Sequence, residues 1–341
     1  MTIHVTNPAG QGPTGATGPA GTNAAEYVVT SHIYVDFARS AESYVPNGSP
    51  ALPYKTLATA YTAAKTSVAT NSPVFIVLIS SNTTPENVTF DTGHIYLVGD
   101  NSSGTHAPIL FTGSITMAAT SGTISDNHFA ISGIELVGVS GTNVLTFSGT
   151  YPQRAFLRDV WVTANGTSHG VYLTNTGTGS VFHMNDCKFS HNGSGDYHCI
   201  NVTKGTANLD AIETSGSTVG VISVSGGGSL NISNSDIQSA GTYCAEVYAS
   251  SSMTLANTKI TTTAANSTGI LLEQAGSVTI AGLITFNVPA AGTGRAIDGV
   301  AGSVLYYGPM YFLPDGVGGT TNTKVSPLIT ALPISSTMTR A

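Results

Sequence analysis

The sequence predicts an all-β fold: a right-handed parallel β-helix with a short N-terminal capping helix, carried on a collagen-like stem and assembled as a homotrimer. Three observations lead to this prediction. The composition is rich in small uncharged residues, glycine recurs with a period of three near the N-terminus, and one pattern recurs along the body about every two dozen residues. Repeats of this length are typical of solenoids, so the sequence favours an elongated protein over a compact domain.

The composition limits both the fold and the partners. Only 9% of the 341 residues are charged, against about 25% in an ordinary globular protein, whereas 39 are glycine. The hydrophobic content of 41% is too high for a disordered linker, so the chain is expected to fold. A net charge of −7 without a basic run excludes nucleic acid as a partner, because binding phosphates requires clustered Lys and Arg.

We also expect no membrane insertion. The longest apolar run, Val74 to Ile79, is far too short to span a bilayer. No signal peptide opens the sequence, and we therefore expect synthesis in a cytoplasm without export by a cleaved leader.

A strict glycine repeat predicts a collagen-like stem over residues 10–26. The repeat consists of Gly12, Gly15, Gly18 and Gly21. Only glycine fits at the axis of three polyproline-like chains, so this spacing is a trimerisation signal; the alternative is a flexible Gly/Pro linker. Four triplets are too few to hold three chains alone, so the body is expected to trimerise as well. Residues 1–9 are then a small peg that docks onto a larger partner.

The body repeats in register over residues 127–311. Eight anchor positions recur at intervals of 23 to 27 residues: Ile131, Leu157, Met184, Leu209, Ile232, Leu255, Ile280 and Tyr306. The residue two before each anchor is apolar, as the inward face of a strand requires. The residue two after each anchor is Gly, Asp or Asn, except for Ala211, and this pattern predicts a corner.

A third short strand recurs later in each unit. Three short strands per unit predict a parallel β-helix; an antiparallel sandwich, the alternative, does not keep one class of corner residue in register.

The flanking segments are expected to close the two ends. Within residues 27–126, Thr56 to Asn71 has helical spacing and Val74 to Ile79 is predicted to be a buried strand. The helix would cap the first coil and prevent edge pairing. Residues 312–341 lose the pattern after Tyr311, so we expect them to close the other end rather than continue the coil.

Three stretches precede the coils: Tyr34-Val35-Asp36, Asn47-Gly48-Ser49 and Pro53-Tyr54-Lys55-Thr56-Leu57-Ala58-Thr59-Ala60. With the coils that follow, over roughly residues 34–310, they resemble the opening of pectin-lyase-like β-helix proteins, many of which are tailspikes and fibres of bacteriophages. Collagen-like triplets beside a trimeric body also look like phage fibre proteins and like the hair-like glycoproteins of spore surfaces. The motif is short, and it indicates a fold superfamily rather than one activity.

An outward-facing column is the first place to look for chemistry. The residues four past each anchor are Glu135, Trp161, Lys188, Glu213, Asp236, Lys259, Ile284 and Met310. Glu213 and Asp236 would lie one rung apart, near the ~5 Å separation of the carboxylates in retaining glycosidases, and are the catalytic candidates. Lys188 and Lys259 flank this pair, which favours a salt-bridged ladder without catalysis. Lyases that share the resembled fold would carry a calcium-binding Asp cluster, and the sequence has none of that kind.

Trp161, the only tryptophan, is the main candidate for glycan binding. With Arg158 and Asn185 nearby in the repeat, it would offer an aromatic surface beside planar hydrogen-bonding groups. The alternative is that Trp161 packs in the trimer interface, since interface cores are enriched in Trp and Arg.

No metal site or cofactor is indicated. The three cysteines are odd in number, lack Cys-x-x-Cys spacing and are expected to be small buried hydrophobes: Cys187, Cys199 and Cys244. Four histidines are close in sequence, but the repeat does not fix their positions: His169, His183, His191 and His198. A metal site would require two or three of them to converge.

The functional expectation is a non-enzymatic trimeric appendage on the surface of a phage particle: a tail fibre, a tailspike or a capsid decoration. It would attach through its N-terminus to other virion proteins and bind host surface polysaccharide by many weak contacts. One alternative is a tailspike depolymerase that hydrolyses that polysaccharide; another is a filament protein of a spore or cell surface.

Overall fold

The computed structural model describes residues 31–68, 73–100, 108–193, 195–216, 219–289, 295–312 and 325–333, and these residues form a parallel β-solenoid. The docking peg, the collagen-like stem and the four glycines of the triplets lie outside the described residues. Every strand pairing among the described residues is parallel, which contradicts the sandwich alternative.

The strands are short and follow one another along the chain. The first are β1 (Ser31–Val35), β2 (Val74–Leu78), β3 (Glu86–Phe90), β4 (Ile95–Gly99), β5 (Ile109–Met117), β6 (His128–Val137), β7 (Leu145–Phe147), β8 (Arg154–Asn165) and β9 (Val171–Leu173). The next are β10 (Val181–Asn185), β11 (Lys188–Asn192), β12 (Ile200–Val202), β13 (Thr206–Asp210), β14 (Glu213–Gly216), β15 (Ile222–Val224), β16 (Ser229–Ser233), β17 (Asp236–Ser239) and β18 (Tyr243–Val247). The last are β19 (Ser252–Ala256), β20 (Thr258–Thr262), β21 (Thr268–Leu272), β22 (Ser277–Ile280), β23 (Ile284–Asn287), β24 (Ile297–Gly299), β25 (Val304–Tyr307), β26 (Met310–Phe312) and β27 (Thr330–Pro333).

The strands stack into three faces. Face one contains β1, β2, β4, the first halves of β6 and β8, β10, β13, β16, β19, β22, β25 and β27. Face two contains the first half of β5, the second halves of β6 and β8, β11, β14, β17, β20, β23 and β26. Face three contains β3, the second half of β5, β7, β9, β12, β15, β18, β21 and β24. About eight successive turns carry a strand on all three faces, as the sequence repeat predicts.

Period-two alternation places one continuous apolar core inside the coil. In β2, Val74, Ile76 and Leu78 are buried while the residues between them are half-buried. Phenylalanines fill the interior, and the rings of Phe147 and Phe182 lie 4.7 Å apart between centroids. Burying such side chains contributes about 1.5–3 kcal/mol each. The three cysteines are buried and unpaired, which confirms the prediction for them.

The corner between faces one and two depends on residues that tolerate a left-handed backbone. Positive φ angles, between 48° and 66°, occur at successive corners: Gly133, Asp159, Asp186, Ala211, Asn234 and Asn257. Glycine, Asp and Asn adopt this conformation at little cost. Ala211, the exception in the sequence pattern, takes the same conformation with φ 53°, so the geometry of the stack overrides its preference.

The last two turns depart from the predicted register. Leu255 pairs with Ile280, but after the corner Thr258 pairs with Ile284. The corner that follows Ile280 therefore holds one residue more than the corner that follows Leu255. Leu283, which lies in this longer corner, is 52% exposed. Ile284 is consequently buried instead of outward, which corrects its assignment to the outward column. Met310, which pairs with Ile284, likewise packs against the core.

The final anchor was also predicted one residue too early. Thr279 pairs with Tyr306, so the partner of Ile280 is Tyr307. Tyr306 is 41% exposed, whereas its neighbour Leu305 is fully buried. The apolar pair Val304-Leu305 allows either register in the sequence, and pairing with β22 selects Leu305 as the inward residue.

One α-helix, α1 (Leu57–Ser67), occurs among the described residues, within the predicted segment. Thr56 caps its N-terminus by accepting a hydrogen bond from the Thr59 amide, and the Glu86 carboxylate accepts bonds from the amides of Leu57 and Ala58. Its apolar side packs against β1, β2 and β3. No helix in the described part of the chain is long and apolar enough to cross a membrane.

The chain continues to coil beyond Tyr311, contrary to expectation. Val325 forms a parallel bridge to Ile297 on face three, and β27 then pairs in parallel with β25 on face one. Residues 325–333 therefore add strand segments in the order that the preceding turns use. The sequence pattern hides this because Pro and Gly interrupt the intervening segment, which lies outside the described residues.

Candidate functional site

A column of charged and aromatic side chains runs along the outside of face two. Strand pairing confirms its register on successive rungs: Glu135, Trp161, Lys188, Glu213, Asp236 and Lys259. Each of these residues follows a corner by two positions, so the left-handed corner conformation aims all of them outward. Thr285 continues the column, in place of the predicted Ile284.

Two of the three acidic residues of this column, Glu213 and Asp236, each bind a lysine. Lys188 Nζ lies 3.0 Å from Glu213 Oε2, and Lys259 Nζ lies 3.3 Å from Asp236 Oδ2. All four side chains are about half exposed, so each pair contributes little to stability. The arrangement is the alternating ladder that neighbouring strands favour.

A shallow groove of about 320 Å³ follows this column. Its outward-facing residues come from two parallel columns: Trp161, Lys188, Glu213 and Asp236 in one, and Thr163, Ser190, Ser215 and Gln238 in the other. The hydroxyls of Thr163 and Ser190 lie 2.9 Å apart. The groove thus combines an aromatic ring at one end with hydroxyl, amide and charged groups along its length, which suits a polar ligand with many hydroxyls.

The predicted glycan-binding residues lie on both sides of one corner. Trp161 is half-buried in the face-two groove, and the Lys188 ammonium lies 5.4 Å from the centroid of its ring. Arg158 and Asn185 are paired neighbours at the end of face one, before the corner. Asn185 donates a hydrogen bond to Asp210 there. The groove therefore contains Trp161, while the other two residues belong to the adjoining surface.

A second polar cluster lies on face three, where two of the four histidines meet. The rings of His169 and His198 are stacked 5.6 Å apart. His191 binds the Ser168 carbonyl nearby, whereas His183 is on face one and stacks against Phe156. Burial, with the neighbouring His198 and His191, lowers the pKa of His169 to about 4.

His198 binds a buried glutamate that the sequence analysis did not single out. His198 Nε2 lies 3.2 Å from Glu246 Oε1 and 3.7 Å from Asp196 Oδ1. The side chains of His198 and Glu246 are 2% and 4% exposed, whereas that of Asp196 is 74% exposed. Tyr243 Oη lies 3.4 Å from the same nitrogen. Two carboxylates and a phenol thus surround one imidazole nitrogen.

Glycine at position 220 makes this convergence possible. Position 220 lies between His198 and Tyr243 on successive rungs, and a Cβ there would come within 2.0 Å of the Tyr243 ring. The ring therefore lies over Gly220 and reaches His198 on the rung beyond.

Hydrogen bonding keeps Glu246 ionised in its buried position. Burial alone would raise the pKa of this carboxyl, but hydrogen bonds from His198, Tyr243 and Ser223 outweigh burial and hold the pKa below its usual value. Burial and the hydrogen bond to Glu246 raise the pKa of Tyr243. The cluster therefore contains a buried, ionised carboxylate that hydrogen-bond donors stabilise.

Sequence reasoning missed Glu246 because it lies in an ordinary short strand, β18, with apolar neighbours. The available signal was its column: Asn201, Ser223 and Glu246 occupy one outward position on successive rungs of face three. A charged residue inside an otherwise apolar strand also indicates a buried partner. No protein-family model, curated protein or solved structure matches this chain.

Proposed function

We propose that this protein is a trimeric, non-enzymatic appendage of a phage particle, and that the groove on face two binds host surface glycans. The observation that carries the proposal is the groove itself, in which the half-buried Trp161 is followed by hydroxyl and amide side chains. Stacking of a sugar ring on an aromatic face, with hydrogen bonds to polar neighbours, gives weak binding that a multivalent particle can amplify.

The state of the carboxylates favours binding over hydrolysis. Glu213 and Asp236 are each bound to a lysine, and their side chains are 63% and 48% exposed. A carboxyl that acts as a general acid is placed away from cations. Both carboxylates here contact a lysine instead, and this favours binding over the depolymerase alternative.

The remaining parts of the proposal concern assembly. The Gly-x-y triplets at Gly12 to Gly21 support a trimer held partly by a collagen-like stem, with residues 1–9 as the attachment to other virion proteins. Helix α1, packed on β1, β2 and β3, would act as the cap that prevents edge pairing. We also propose that the solenoid winds in a right-handed sense, because crossovers between parallel strands of one sheet are right-handed in nearly all proteins.

The deciding experiment is a binding assay with the full chain. Purified protein is applied to immobilised lipopolysaccharide, capsular polysaccharide and teichoic acid, and binding is compared with that of Trp161→Ala. We expect at least one polysaccharide to bind the natural protein and about a tenfold loss in the variant, because stacking contributes on the order of 1 kcal/mol at each of several sites.

The matched control is Phe156→Ala, which removes an exposed aromatic ring from face one, outside the groove. Equal binding losses in both variants would contradict a site on face two, as would the absence of binding to every polysaccharide. Release of reducing ends during incubation would show that the protein hydrolyses the polysaccharide. The depolymerase alternative would then replace the adhesive function. Sedimentation should give three times the chain mass of 34.7 kDa, and a monomer would contradict the trimer.

A further inference from the structure

Three possible metal-binding side chains converge on face three. Donor atoms of Asp196, His198 and Glu246 all lie within 4.8 Å of one another, and two of the separations are 3.2 and 3.7 Å. A Zn²⁺ ion with bonds of about 2.0–2.2 Å holds neighbouring tetrahedral donors about 3.3–3.6 Å apart. The three donors are thus near the required spacing already, and small side-chain rotations would complete it.

We propose that Asp196, His198 and Glu246 bind a divalent transition-metal ion of the Zn²⁺ class. Imidazole favours Zn²⁺ and its neighbours over Ca²⁺ and Mg²⁺, while the two carboxylates supply negative charge. Nε2 of His198 faces both carboxylates, whereas its Nδ1 is buried without a hydrogen-bond partner in the described chain. The site therefore has one defined nitrogen ligand and two defined oxygen ligands.

Charge balance supports a cation at this position. Among the described residues, His198 is the only ion-pair partner of either Glu246 or Asp196. Two carboxylates beside one imidazole leave an excess of negative charge, and a buried carboxylate without a compensating cation is costly. A divalent ion would neutralise both carboxylates.

The position of the ligands indicates a structural role for the ion. Asp196 and His198 precede β12, whereas Glu246 lies in β18, two rungs further along face three. The ion would join turns that are not adjacent. Because His198 and Glu246 are almost fully buried, substrate has no access to them, and the exposed Asp196 marks the side from which the ion enters.

The test uses the untagged full chain after treatment with a chelator. Zn²⁺ is added during titration calorimetry, and bound metal is counted by elemental analysis after gel filtration. We expect one Zn²⁺ per chain and a higher thermal midpoint with the ion, because a ligand that binds the folded state stabilises it. Ca²⁺ and Mg²⁺ at the same concentration should leave the midpoint unchanged.

Two variants make the result specific. Asp196→Asn alters an exposed side chain and should fold normally while losing Zn²⁺ affinity by at least tenfold; His198→Asn should abolish binding. The matched control is Asp186→Asn, at an exposed corner where equivalent positions already hold Asn234 and Asn257, and it should bind Zn²⁺ like the natural chain. No uptake of Zn²⁺ by the natural chain, or equal uptake in Asp196→Asn, would overturn the proposal.

Discussion

Glu213 lies directly opposite Asp236 on adjoining parallel strands, yet the two carboxylates bind different lysines, one on the rung before and one on the rung after. Like charges directly opposite each other destabilise a sheet, and the flanking cations offset that repulsion. The order Lys188, Glu213, Asp236, Lys259 is therefore a neutral ladder, and its stability consequences can be measured.

A double-mutant cycle between Lys188→Met and Glu213→Gln should give a coupling energy of about 0.5 kcal/mol that falls at high salt, because both side chains are exposed. The measurement is urea unfolding at low and high ionic strength. The control cycle pairs Lys188 with Asp236, which are separated by the rung of Glu213, and should give almost no coupling. A coupling several times larger and independent of salt would contradict a solvated ladder.

Corner geometry predicts a stabilising substitution. Ala211 has φ 53°, a conformation that Asn adopts more readily, so Ala211→Asn should raise the free energy of unfolding by about 0.5–1 kcal/mol. Asn234→Ala at the next corner should lower it by a similar amount or more, since Asn234 also donates a 2.8 Å hydrogen bond to Asp210. Chemical denaturation checks both. If Ala211→Asn destabilises the protein, the left-handed corner is wrong at this position.

The core predicts a large loss on truncation of a phenylalanine. Phe182 is fully buried and packs at a tilt against Phe147, so Phe182→Ala should lower the free energy of unfolding by about 3–5 kcal/mol through lost burial and a residual cavity. The urea midpoint measures the effect. Phe156→Ala, on the exterior of face one, should shift the midpoint far less. Equal shifts would contradict the assignment of inward and outward positions.

Stability should decrease as the pH falls, partly through His169. Its pKa of about 4 in the folded protein lies below the usual 6.5, so between these values the unfolded chain binds more protons than the folded chain. Stability is therefore retained above about pH 6.5 and is lost progressively toward pH 4, by roughly 2 kcal/mol from this group after allowance for its partial exposure. Glu246 adds to the loss at the acid end, because its folded pKa is depressed.

Urea unfolding as a function of pH tests this expectation. His169→Gln, which cannot be protonated, should flatten the pH dependence between about pH 6.5 and 4. His32→Gln, which removes an exposed imidazole from face one, is the control for the substitution itself. A slope that His169→Gln does not alter would show that protonation of other groups causes the loss.

Substitution of Gly220 should destabilise the protein mainly when the Tyr243 ring is present. A methyl group at this position would collide with the ring of Tyr243, so Gly220→Ala should lower the thermal midpoint in the natural chain. The same substitution should cost much less in a Tyr243→Ala background, where the ring is absent. An identical cost in both backgrounds would mean that the collision is not the cause and that Gly220 is required for its backbone alone.

Much of the fold could be predicted from the sequence because each turn repeats the same local requirements. Alternating apolar residues such as Phe129 and Ile131 identify a strand, and a Gly, Asp or Asn two residues later identifies the corner. The prediction failed where the sequence allows two registers, as at Val304-Leu305, or adds one corner residue, as at Leu283. Hydrogen bonding to the preceding rung selects one register there, and a local pattern contains no information about that pairing.

The sequence by itself determined the parallel solenoid, the inward and outward positions over most turns, and the adjacency of Glu213 to Asp236. Only the tertiary structure decided which distant polar groups share a site. His198 and Glu246 belong to different turns and lie on either side of the corner that leads into face three, and their contact is 3.2 Å long. Gly220, on the rung between them, leaves room for the Tyr243 ring, whose hydroxyl joins the same contact. Their contact depends on side-chain packing across three rungs, whereas the repeat specifies only the position of each residue within its own rung.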